Sequence, residues 1–159
     1  MSEEVRREKM QCKLTQYVVK RDMKFMTVQE STGEKINSFR KVYELMKLEA
    51  AIDRECVWVL HLNSHLELIE KELVSMGDVS ASIVHPREVF KKAILHSSSQ
   101  IVVVHNHPSG DVLPSDEDKD VAKRLYKAGE IIGIPLADFM VISTKGFFSF
   151  ANEGMLEQQ

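Results

Sequence analysis

The residue types best suited to chemistry crowd into one run, His105-Asn-His-Pro-Ser-Gly-Asp-Val-Leu-Pro-Ser-Asp-Glu-Asp118. Histidines two apart on an extended segment point to the same side, their α-carbons about 6.6 Å apart. Both imidazoles can then reach one ion at about 2.0–2.1 Å. Pro108 cannot donate to a sheet ladder, so it ends the strand and leaves both rings at its mouth. A His-x-His pair alone is a weak signal, and Asp118 strengthens it. If Ser115 is the N-cap of a following helix, Asp118 falls at N3 and suits a capping box. It also shares a helix face with Val121, Ala122 and Leu125, the stripe that must be buried. An isolated ionised carboxylate on that face costs on the order of several kcal/mol. A divalent metal shared with the two imidazoles supplies the missing charge.

Two imidazoles and one carboxylate leave a fourth tetrahedral position for water, the arrangement of a catalytic zinc ion. Zinc lowers the pKa of that water to about 7. A carboxylate on a neighbouring strand is then needed to take the water's proton and return it to a leaving amine. Glu55, at the start of the apolar run Glu55-Cys-Val-Trp-Val-Leu-His-Leu62, is the candidate. Cys12 and Cys56 lack a Cys-x-x-Cys partner, so a metal here takes nitrogen and oxygen ligands.

The elements that must position these groups follow from periodicity. Residues 14–20 read as a short strand after a frayed or helical arm over 1–10, and Ser31-Thr-Gly33 reads as a turn at the best boundary. Phe39, Val42, Tyr43, Leu45, Met46 and Ala50 predict an amphipathic helix from Ser38 to about Ile52. The run 55–62 is apolar on both alternating faces, as in a central strand. Asn63-Ser64 reads as a hairpin turn into a strand over 66–75. Pro86 suits the first position of a helix over 86–96. The pattern continues with a buried strand over 101–104, a helix over 115–132, and strands over 139–143 and 147–150 joined by Thr-Lys-Gly. Strands alternating with helices, with at least one hairpin, predict an α/β sandwich with a mixed sheet.

The bulk numbers frame this reading. At 159 residues the chain is about one domain, and 43% hydrophobic with 28% charged residues is ordinary globular usage. A net charge of −3 supplies no overall basic field for nucleic acid or an anionic membrane. No signal core and no run of about 18 apolar residues is present, so the expected location is cytoplasmic.

The run His105-Asn-His-Pro, then Ser115-x-x-Asp118, with an upstream glutamate, resembles the JAMM signature of the JAB/MPN metalloprotease domain. Val84-His-Pro-Arg-Glu-Val-Phe90 followed by Ile101-Val-Val-Val-His-Asn-His-Pro-Ser-Gly110 is similar to the bacterial RadC-like proteins. The resemblance covers Ser38 to the C-terminus, which separates residues 1–35, an arm or short strand segment, from a RadC-like JAB/MPN domain over 36–159. It implies a three-layer α/β/α sandwich with a mixed sheet, like cytidine deaminase. It implies Zn2+ on His105, His107 and Asp118, Glu55 as general base, and a hydrogen-bonding role at the reaction centre for Ser115. The chain departs from the family pattern in two places. RadC-like proteins usually carry an N-terminal helix-hairpin-helix segment, whereas about 35 residues stand before the JAB region here, so the usual support for a nucleic-acid role is not expected, and Asp138-Phe139 stands where Asp-His is common. His85 and Asp138 are further candidates for support of the site, against the plainer roles of helix cap and strand-edge charge.

The leading expectation is a zinc-dependent metallopeptidase-like hydrolase acting on an amide or isopeptide bond of a peptide or protein substrate. The alternative is a DNA-repair-associated or partner-binding JAB module without peptidase turnover. Direct nucleic-acid binding is disfavoured by the near-neutral charge, no membrane is involved, and a homo-oligomer stays open. A zinc deaminase is disfavoured because the Pro-Cys-x-x-Cys ligand pair of that chemistry does not occur.

Overall fold

The structure, a computed structural model, describes residues 31–77 and 84–156. The expected arm over 1–10 and strand over 14–20 lie outside the described residues. Helix α1 spans Phe39–Leu45, strand β1 Cys56–Leu62, β2 Leu68–Met76, helix α2 Pro86–Leu95, β3 Gln100–Asn106, helix α3 Asp116–Ile132, β4 Leu136–Ser143 and β5 Gly146–Ser149. The five strands form one sheet in the order β2-β1-β3-β4-β5. β1 is antiparallel to both β2 and β3, β3 and β4 run parallel, and β4 and β5 form an antiparallel hairpin. The mixed α/β sandwich is therefore borne out, and α3 makes the crossover that a parallel pair requires.

Side-chain alternation divides the sheet into two faces. Trp58, Leu60, Val102, Val104, Met140 and Ile142 pack on one side with Val42 of α1, with Met46 just after it and with Ala50. Val57, Val59, Ile101, Val103, Phe139 and Val141 pack on the other with Val89, Phe90 and Ala93 of α2 and Val121, Ala122 and Leu125 of α3. Every residue of β1 is buried, as the two-sided apolar run required. Each fully buried aliphatic or aromatic side chain contributes about 1.5–3 kcal/mol, so the two central strands anchor the site that grows from their ends.

Several boundaries moved for local reasons. The helix expected over 38–52 stops at Leu45 and resumes as a 3₁₀ turn over Glu49–Ala51. Met46 and Ala50 stay buried, so the apolar spacing persists while the backbone tightens to feed β1. Leu66 has φ of 62° in the turn after β1, which leaves Leu68 to begin β2. β3 continues past Val104 because His105 and Asn106 stay paired, His105 with Val57 and Val141 and Asn106 with Ile142. Glu55 lies immediately before β1 rather than inside it. α3 ends at Gly133, whose φ of 79° is the left-handed cap that glycine favours.

Candidate metal centre

His105 is held inside the β3 ladder and His107 follows directly after it, its backbone N–H donating to the Ile142 carbonyl at 2.8 Å. The two rings meet edge to face with centroids 4.8 Å apart. α3 brings Asp118 to them. Ser115 caps this helix, accepting from the Asp118 N–H at 3.1 Å, while the Ser115 N–H donates to Asp118 Oδ2 at 2.8 Å. The expected capping box and the expected inward carboxylate are thus the same residue, because position N3 of this helix coincides with its buried stripe.

The Asp118 carboxylate joins both imidazoles. His105 Nδ1 donates to Oδ1 at 2.8 Å, and His107 Nε2 lies 3.3 Å from Oδ2. The Ser115 hydroxyl also donates to Oδ2, at 2.9 Å. Burial opposes ionisation of Asp118, but the two histidines and the Ser115 N–H outweigh it and hold its pKa far below the usual carboxylate range. The hydrogen bond with Asp118 raises the His107 pKa, against the effect of burial.

Glu55 closes the group from the residue immediately before β1. Its Oε2 stands 3.9 Å from His105 Nε2. Glu55, His105 and His107 each offer a donor atom, all within 4.8 Å of one another. With Asp118, Ser115 and Glu117 they line a cleft of about 630 Å³, walled further by Ser109, Asp111, Leu113 and Pro114. All five predicted site residues therefore meet in one place.

Two features fit a cation here. His105 Nε2 is buried with no hydrogen-bond partner, and with Nδ1–H committed to Asp118 it carries a free lone pair. His107 Nδ1–H is likewise committed, to the Asp111 carbonyl at 2.8 Å, so its Nε2 lone pair would face an anionic oxygen unless a proton or metal ion intervenes. The 3.3 Å between that nitrogen and Asp118 Oδ2 matches the roughly 3.3–3.4 Å separation of two donors on one tetrahedral zinc at about 2.0–2.1 Å.

A family model described as the RadC-like JAB domain matches residues 36–155. The chain belongs to the RadC-like JAB domain family. It is 42% identical over 127 residues to a UPF0758 protein of Thermotoga maritima, covering 80% of this chain and 57% of the relative. It is 46% identical over 125 residues to a UPF0758 protein of Pelodictyon phaeoclathratiforme, covering 78% and 56%. A UPF0758 protein of Rubrobacter xylanophilus is 49% identical over 107 residues, covering 67% and 47%. This RadC-like chain thus spans about half the length of the curated relatives it matches.

The remaining candidates take other roles in the RadC-like domain. Asp138 pairs with Val102, three residues along β3 from His105. Its carboxylate accepts from the Ser149 hydroxyl at 2.5 Å and the Ala151 N–H at 3.0 Å, which clasps the β4-β5 hairpin. Burial raises its pKa despite those bonds. His85 is the exposed N-cap residue of α2 and makes no side-chain cap. His61 and His96 bond to Glu72 and Glu70 on β2, at 2.9 and 2.5 Å, which fits a structural role. Sequence reasoning missed Asp111 and Asn106. Asp111 acts through its backbone carbonyl, which residue type does not reveal, whereas a buried asparagine flanked by two histidines was visible in the motif.

Proposed function

We propose that this RadC-like JAB domain is a zinc-dependent, metallopeptidase-like hydrolase that cleaves an amide or isopeptide bond of a peptide or protein. The observation that carries the reading is the partnerless, buried His105 Nε2 facing Glu55 beside a carboxylate shared by both histidines. His105, His107 and Asp118 would hold the metal. Bound zinc supplies Lewis acidity, which polarises a carbonyl and acidifies water at neutral pH.

The chain's own groups do the rest. Asp118 fixes the tautomer of His105, and the Asp111 carbonyl fixes that of His107, so both present Nε2 to the centre. Glu55 is partly exposed at the cleft wall. There it takes a proton from water and delivers it to the departing amine nitrogen. The Ser115 hydroxyl, at the helix N-terminus that borders the cleft, donates to the developing oxyanion once its proton is released from Asp118.

A second assignment of the donors is favoured by the clustering of Glu55 with both histidines. In it Glu55 is the third ligand and Asp118 only orients the rings. Zinc affinity separates the two: Asp118→Asn weakens binding more than Glu55→Gln under the first assignment, and the order reverses under the second. The function itself is tested by metal analysis of the purified protein and by mass spectrometry of a peptide and isopeptide library incubated with it. Stoichiometric zinc lost in His107→Ala, with metal-dependent cleavage, supports the proposal. Absence of zinc, with metal content unchanged by His107→Ala, ends it. The proposal sets the domain in the cytoplasm; no helix among the described residues is long and apolar enough to cross a membrane.

A further inference from the structure

Asn106 stands between the two histidines, and strand alternation turns its side chain to the opposite face of the sheet. It is fully buried. Its Oδ1 accepts from the Cys56 N–H at 2.7 Å, and its Nδ2 donates to the Arg54 carbonyl at 3.0 Å and the Ile52 carbonyl at 3.3 Å. Those backbone groups bracket Glu55. They lie just beyond the last β1-β3 pair at this end, Val57 with His105, where the chain leaves the ladder and its polar groups need other partners. A carboxamide carries an acceptor and two donors on one plane and meets all three needs at once. On its far side the same segment is tied to the end of β2, since the Glu55 carbonyl accepts from the Gly77 N–H at 2.9 Å.

We infer that Asn106 is a positioning residue that sets the Glu55 carboxylate relative to His105. This rests on the reading of Glu55 as the base of a metal site. One strand end thereby carries both halves of the centre: His105 faces α3 and the ion, and Asn106 reaches back to grip the segment that bears Glu55. Aspartate would keep the acceptor for Cys56 but turn a negative oxygen toward two carbonyls. Serine is too short to span the three groups.

The test uses NMR of the full chain as wild type, Asn106→Asp and Asn106→Ser, before and after one equivalent of zinc chloride. In the wild type the Asn106 carboxamide protons and the Cys56 amide exchange slowly, and zinc shifts the His105, His107 and Glu55 side-chain resonances together. In Asn106→Ser, Cys56 exchange accelerates about tenfold, the loss expected for one buried hydrogen bond, while Val103 at the sheet centre is unchanged. In both variants the histidines still respond to zinc and Glu55 no longer does. Wild-type Cys56 protection in Asn106→Ser, or an undiminished Glu55 response in either variant, overturns the inference. Should neither variant fold, the wild type decides, because carboxamide exchange as fast as that of exposed Asn37 overturns it. A wild type whose histidines ignore zinc refutes the metal reading instead, and Cys56 exchange still reports whether Asn106 pins the segment.

Discussion

His105 gives its Nδ1 proton to Asp118 across 2.8 Å and keeps Nε2 sealed from solvent without a partner. The pair sets one imidazole lone pair in a fixed direction and leaves the Asp118 charge in reach of a second histidine. Asp118→Asn removes that charge while retaining the side-chain size. Zinc affinity is expected to fall at least about 10–100-fold, the cost of losing a carboxylate behind or on a metal, read by competition with a chelating dye. Unchanged affinity would remove Asp118 from the centre.

Ser115 separates fold from function at the same helix end. It caps α3 by accepting from the Asp118 N–H, and loss of such a cap costs about 0.5–2 kcal/mol. Ser115→Ala should lower the urea midpoint accordingly while zinc stays bound. Under the proposed function its turnover also falls, with metal content intact. A variant that kept full turnover would reduce Ser115 to a cap.

Much of this centre was legible because the strand and helix periods overlap on it. The two-residue spacing of His105 and His107 fixed a common side, and the helical spacing of Asp118 with Val121 and Leu125 fixed an inward carboxylate. The central strand over 55–62 was legible because both of its faces are apolar. The rest depends on tertiary pairing. His105 and Asn106 interrupt the apolar run, so the extension of β3 through them follows from β1 and β4 on either side rather than from residue type. The break in the 38–52 helix was hidden because Met46 and Ala50 stay buried through it.

Gly129 gives a test of packing that is independent of the site. It sits within α3, where glycine to alanine in an open helix is worth up to about 1 kcal/mol of stabilisation. Here an added Cβ would stand 2.7 Å from the Ile134 carbonyl oxygen and 3.1 Å from the Leu136 nitrogen. Both neighbours are backbone and cannot swing aside, so Gly129→Ala should destabilise by about 1–3 kcal/mol. A gain in melting temperature would show that α3 sits further from the start of β4.

His61 should make part of the stability depend on pH. It is fully buried, its Nε2–H bonds to Glu72, and its Nδ1 has no partner. Burial lowers its pKa below the usual value, over the opposing effect of Glu72. Between that lowered pKa and about 6.5 in the unfolded chain, the unfolded state binds more protons, so stability rises with pH across the window. Acidification through it should erode wild-type stability more steeply than that of His61→Gln. Urea unfolding from pH 7.5 down to 5 reads the difference, and parallel curves would show that the buried ring accepts a proton at no cost.

Glu55→Gln is the sharpest variant of the proposed chemistry, because it keeps the size of the side chain and its place before β1 while removing proton acceptance. If Glu55 moves the proton and the other three groups hold the ion, zinc content and folding stay as in the wild type. Cleavage then falls by about 10²–10⁴, the usual worth of a general base, and the loss appears in kcat with KM little changed. If Glu55 is instead a ligand beside His105 and His107, the variant loses zinc in parallel with activity. Raising the zinc concentration then restores part of the rate, which no addition of metal could do for a missing base.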